Sequence, residues 1–188
     1  MNAVTVGGPG LVAVGYAESY SNAAVWVSTD GFTWSRIPHD EEVFGGDGNQ
    51  VIHDVVAGGP GLVAVGTDAS SGAAVWTSPD GITWTRVPHD PILFGKRDGN
   101  RWMGGVVTYG NGLVATGTDV WTSSDGLTWT VARGIPGSDQ PLEEPESWGM
   151  RDITAGRDGI VAVGYSGDLS SDAEEKPQAV VWTAKPQD

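Results

Sequence analysis

The chain has 188 residues, a formal net charge of −14, 29 glycines, 9 tryptophans and no cysteine. A surface this acidic is repelled by nucleic-acid phosphates and by anionic lipid head groups. Without thiols there is neither a disulfide framework nor thiolate chemistry.

From Met1 to Gly15 there is no basic start and no long apolar run, so no signal peptide is expected, and no window approaches a membrane span. The sequence leaves the compartment open between the cytoplasm and secretion as part of a longer precursor. Self-comparison gives the organisation. The nine residues Gly7 to Gly15 recur unchanged from Gly58 to Gly66. Further copies begin at Tyr109 and Gly156, giving spacings of 51, 51 and 47 residues. A second motif follows each of the first three copies, at Val25 to Trp34, Val75 to Trp84 and Val120 to Trp129. Asp-Gly between two alternating apolar runs is a strong hairpin signal. Each unit therefore gives four strands, expected in the second at about 51–57, 62–66, 73–78 and 82–87. No stretch has a helical period, so little or no α-helix is expected.

The hairpin residues are Ser28, Asp30, Gly31 and Trp34, then Ser78, Asp80, Gly81 and Trp84, then Ser123, Asp125, Gly126 and Trp129. They resemble the Asp box of BNR-type β-propellers, the repeat of sialidases and of many non-catalytic relatives. The spacing differs from the family's longer form by one residue between Asp and Gly. The physical reading is structural: serine and aspartate oxygens accept turn N–H groups, glycine takes positive φ, and tryptophan packs between neighbouring sheets. Full burial of one such ring is worth up to about 4–6 kcal/mol, at about 25 cal/mol/Å².

The resemblance implies an all-β, propeller-like single domain over 1–188. Its four-stranded blades fall at about 1–39, 51–90, 102–134 and 149–184, the last without its outer strand. In that last unit the strands are expected near Met150 to Ala155, Ile160 to Gly164 and Ala179 to Thr183. Met1 aligns with Ile52, inside an innermost strand. Three closures are open: part of a longer propeller, chains that pair to complete a ring, or four blades closing imperfectly. Unpaired edges favour association, so a homo-oligomer is an expected partner.

Binding on a rigid repeat array belongs to its variable loops. These include the long connections His39 to Gln50 and Gly134 to Trp148, and the segment Ser166 to Gln178. His39-Asp40 and His89-Asp90 sit at equivalent positions, and Gly134 replaces the histidine in the third unit. A His-Asp pair can ligate a metal, but its repetition favours a capped turn. The loops Asp47-Gly48-Asn49 and Asp98-Gly99-Asn100 lack an EF-hand ligand series. No metal and no cofactor are expected.

The inner-strand row reads Asn2-Ala3, His53-Asp54, Gly104-Gly105 and Arg151-Asp152, and it breaks the repeat. Together with Trp102 and Trp148, expected just before inner strands, it supplies the candidate ligand site: His53, Asp54, Trp102, Trp148, Arg151 and Asp152. A sialidase would further require three arginines on a carboxylate, a Tyr–Glu nucleophile pair and an acidic proton donor. Here Arg36-Ile37-Pro38 follows a box instead of preceding it. The glutamates Glu18, Glu41, Glu42, Glu143, Glu144, Glu146, Glu174 and Glu175 all fall in expected loops, which hold catalytic carboxylates poorly. The acidic run from Glu143 to Glu146 reads as a solvated loop. The leading expectation is a non-catalytic propeller that binds a small molecule, glycan or protein. Its rivals are a glycoside hydrolase or lyase acting through His53, Asp54, Arg151 and Asp152, and a subunit that completes a larger ring.

Overall fold

The computed structural model describes residues 1–17, 22–96, 101–132, 148–157, 159–167 and 176–185, with Trp148 described by its backbone alone. Among the described residues the chain is all-β apart from one helical turn. Strands β1 (Ala3–Gly7), β2 (Gly10–Ala17), β3 (Asn22–Ser28) and β4 (Ser35–Arg36) form the first antiparallel sheet. After the turn α1 (Glu41–Phe44), the second comprises β5 (Gln50–Gly58), β6 (Gly61–Asp68), β7 (Gly72–Ser78) and β8 (Thr85–Arg86). The third is β9 (Met103–Tyr109), β10 (Gly112–Gly117), β11 (Val120–Ser123) and β12 (Trp129–Ala132). The fourth has three strands among the described residues, β13 (Trp148–Gly156), β14 (Gly159–Ser166) and β15 (Gln178–Ala184).

Every sheet follows chain order from its inner to its outer strand, and each neighbouring pair of strands runs antiparallel. Consecutive sheets pack face to face, and β1, β5, β9 and β13 lie side by side at the inner edge. Alternation supplies both faces. In the second sheet Leu62, Ala64, Ala74 and Trp76 pack toward the first. Val63, Val65, Ala73 and Val75 pack toward the third. A third core between the last two sheets holds Val114, Val120, Met150, Ile153, Ile160 and Trp182.

Two expectations need correcting. The outer strand expected over 82–87 is only Thr85–Arg86, because residues through Trp84 are used by the turn. There Ser78 Oγ accepts the Gly81 N–H at 2.8 Å, and Asp80 Oδ1 accepts those of Ile82 and Thr83 at 2.8 and 2.7 Å. Gly81 takes φ +78°, and the Trp84 indole donates back to its carbonyl at 3.0 Å. The turns at Ser28 and Ser123 repeat this set.

The connection after β4 also contains the helical turn α1, where a loop was expected. Asp40 caps it by accepting the Glu42 N–H at 3.0 Å, and Asp90 accepts from Ile92 and Leu93 in the equivalent place. Glu41 and Glu42 thus lie on this turn. Glu18, Gly134, Glu143, Glu144, Glu146, Glu174, Glu175 and the loop Asp98-Gly99-Asn100 lie outside the described residues.

Candidate functional site

The inner strands β5, β9 and β13 each contain a bulge, and its extra residue falls in the row singled out from sequence. Register slips between Ile52 and Asp54, around Gly104, and between Met150 and Asp152. His53, Gly104 and Arg151 are therefore the inserted residues. A bulge leaves one residue outside the ladder and re-aims its side chain, so three successive sheets turn that position out of the regular pleat together.

What gathers there is an aromatic–cationic cluster. Arg151 sits with its guanidinium carbon 4.8 Å from the centroid of the Trp102 ring and 5.2 Å from that of Tyr165. The cation is held against two π faces. Trp102 also meets the His53 ring edge-on, with centroids 6.3 Å apart. A Cβ at Gly104 would lie 2.5 Å from Trp102 Cζ3, so only glycine leaves room for the indole. His53 Nε2 is 3.1 Å from Thr67 Oγ1. Burial, and then the nearby Arg151 charge, hold its imidazole below the ordinary histidine range, so it is neutral at pH 7. Arg151 is exposed and has no hydrogen bond or ion pair among the described residues.

The two aspartates of the row are bound to backbone. Asp54 Oδ1 accepts the Val55 N–H and Oδ2 accepts the Val106 N–H of the next sheet, both at 2.8 Å. Burial raises its carboxyl despite these two bonds, and the nearby Asp152 raises it further. Asp152 Oδ1 accepts the Ile153 N–H at 2.8 Å. In the first sheet Asn2 donates across the sheet boundary instead, to the Ile52 carbonyl at 2.8 Å.

The structure thus brings together His53, Trp102 and Arg151, with Asp54 and Asp152 beside them. Trp148, expected just before an inner strand, is instead the first residue of β13, paired with Ser166; its side chain lies outside the described residues. Sequence reasoning missed Tyr165 and Thr67, which sit on strands facing the bulges.

It also missed a pair of ion pairs. Arg86 binds Asp68 and lies over Trp76, while Arg101 binds Asp119 at 2.7 Å and lies over Trp121. The aspartates and tryptophans are equivalent positions, but one arginine comes from an outer strand and the other from the approach to an inner one. Burial pushes the Asp68 carboxyl up, yet hydrogen bonds from Ser70 and Arg86 outweigh it and hold it well below the usual range.

These features define an all-β chain of propeller-like arrangement with a cationic–aromatic cluster at its inner edge. Among solved structures, the chain is similar to a mutant of the Bombyx mori GH32 β-fructofuranosidase in complex with sucrose, with a TM-score of 0.55 and 12% identity. The match covers 98% of this chain and 45% of that one, so the chain spans a little under half the enzyme's length. At this identity the likeness supports the propeller-like fold alone. No protein-family model matches the chain, and no curated protein matches its sequence.

Proposed function

We propose that the chain is a non-catalytic binding propeller of the Asp-box type, which takes a small hydroxyl- or carboxylate-bearing ligand at the inner-edge cluster. One observation carries this reading. Arg151 is fixed between Trp102 and Tyr165 without an acceptor among the described residues, leaving its N–H fork to a ligand. A guanidinium pre-oriented by stacking loses less freedom when it binds, and its fork matches planar oxygen pairs. The three hairpin turns support the Asp-box assignment, since serine, aspartate, glycine and tryptophan play the same parts in each.

The same geometry weighs against a hydrolase. An acid–base carboxylate must be free to exchange a proton with substrate, and both Asp54 oxygens already accept backbone N–H groups. The raised Asp54 carboxyl is the one feature that favours the catalytic alternative. Calorimetric titration with a panel of neutral and acidic saccharides and simple carboxylates tests the proposal. Saturable binding that disappears in both Arg151→Ala and Trp102→Ala supports it. Turnover of aryl glycosides or sucrose by mass-verified protein, lost in Asp54→Asn or Asp152→Asn, replaces it with the hydrolase reading.

A further inference from the structure

The two end sheets expose the faces that every internal sheet buries. Val161, Val163 and Val181 on the fourth sheet are 38%, 43% and 60% exposed. Their equivalents in the second sheet, Val63, Val65 and Val75, are at most 1% exposed, packed on the third sheet. On the first sheet the opposite face is open. Val4 is 59% exposed, while its equivalents Val55, Val106 and Ile153 are at most 5%. Trp26 and Trp34 are half-buried there, whereas Trp76, Trp121, Trp84 and Trp129 are buried. Contiguous apolar residues facing solvent mark an interaction surface.

We infer that these two faces are complementary halves of one heterologous interface, and that a second copy of this chain covers each of them. The occupant follows from continuity with the interfaces inside the chain. Three times, a sheet's forward face of valines packs on the rear face of the next sheet. The fourth sheet offers that forward face and the first offers that rear face. The polar staple is divided in the same way. Asp54 reaches forward to the Val106 N–H. Asp152 is the equivalent carboxylate on the last sheet, and Val4 the equivalent residue on the first. A head-to-tail contact closes into a ring or propagates, and with a net charge of −14 on each copy added salt strengthens it by screening.

Sedimentation of the full chain over a wide concentration range tests this, with Val4→Asp and Val163→Asp as blocked variants. Both positions are exposed in the single chain, so the variants keep their fold, which circular dichroism and melting verify. The unmodified chain is expected to assemble to at least twice its mass. Each variant alone is expected to stay single. Mixed, they are expected to form a dimer and nothing larger, because one has a sound forward face and the other a sound rear face. An unmodified chain that stays single throughout overturns the inference. So does either variant assembling alone, or a mixture that remains single.

Discussion

Asp54 and Val106 are 52 residues apart, and the aspartate's Oδ2 accepts the valine's N–H at 2.8 Å, from one sheet to the next. Its other oxygen holds the Val55 N–H at the same distance. One side chain therefore satisfies a bulged strand and its neighbour at once.

Asp54→Ala removes both acceptors, and a part-buried N–H left without a partner costs about 1–3 kcal/mol. The raised carboxyl fixes the sign of the pH dependence. The folded state binds the proton more readily than the unfolded, so stability from Asp54 grows as pH falls through its raised folded value toward about 3.8. Urea unfolding of the native chain and the variant should show a gap that widens in that direction.

The turn aspartates act with the opposite sign. Backbone N–H bonds from Thr33 and Phe32 hold the Asp30 carboxyl down at about 2. Its contribution is present above the ordinary value of 3.8 and is lost as pH falls from there to about 2. Asp80 and Asp125 shift in the same direction for the same reason. Melting temperature against pH should fall less steeply in Asp30→Asn than in the native chain over that interval.

The turn tryptophans separate by position. Trp84→Ala and Trp129→Ala each empty a buried site and are expected to cost about 3–5 kcal/mol. Trp34→Ala, at the half-buried end position, is expected to cost about half as much in the single chain. Thermal unfolding in dilute solution ranks the three, and equal losses would contradict the packing described.

Asp119→Ala leaves the Arg101 guanidinium, only 3% exposed, without its counter-ion. Breaking a buried pair from one side costs about 3–5 kcal/mol. The double variant Arg101→Met with Asp119→Ala should recover much of that loss, because it leaves no charge stranded. Chemical denaturation of the two variants makes the comparison.

Much of this fold was legible because its signals are local and repeated. Asp-Gly between alternating runs marked three hairpins, and each turn is held by bonds within seven residues. The helical turn α1 escaped because four residues have no period, only the Asp40 cap. The bulges escaped because one inserted residue changes no composition. The arginine pairs escaped for a different reason: Arg86 and Arg101 do the same work from different points of the repeat, so aligning the units separates them. At the candidate site, His53, Trp102 and Arg151 stood out because they break the repeat. Tyr165 did not, since a tyrosine in a strand is unremarkable until a bulge turns an arginine onto it.

The segments before the second and third sheets also tie each of these sheets to its predecessor. The Trp76 indole donates to the Val43 carbonyl at 2.7 Å, and that of Trp121 to Leu93 at 3.1 Å. A sheet's central indole is thus satisfied by chain that lies upstream of the sheet itself. During synthesis, that carbonyl leaves the ribosome before the indole that needs it, so the second and third sheets each find this acceptor already made. The indole is thus provided for from upstream, while the forward valine face of the same sheet, Val63, Val65 and Val75 in the second, is covered only by the sheet that follows.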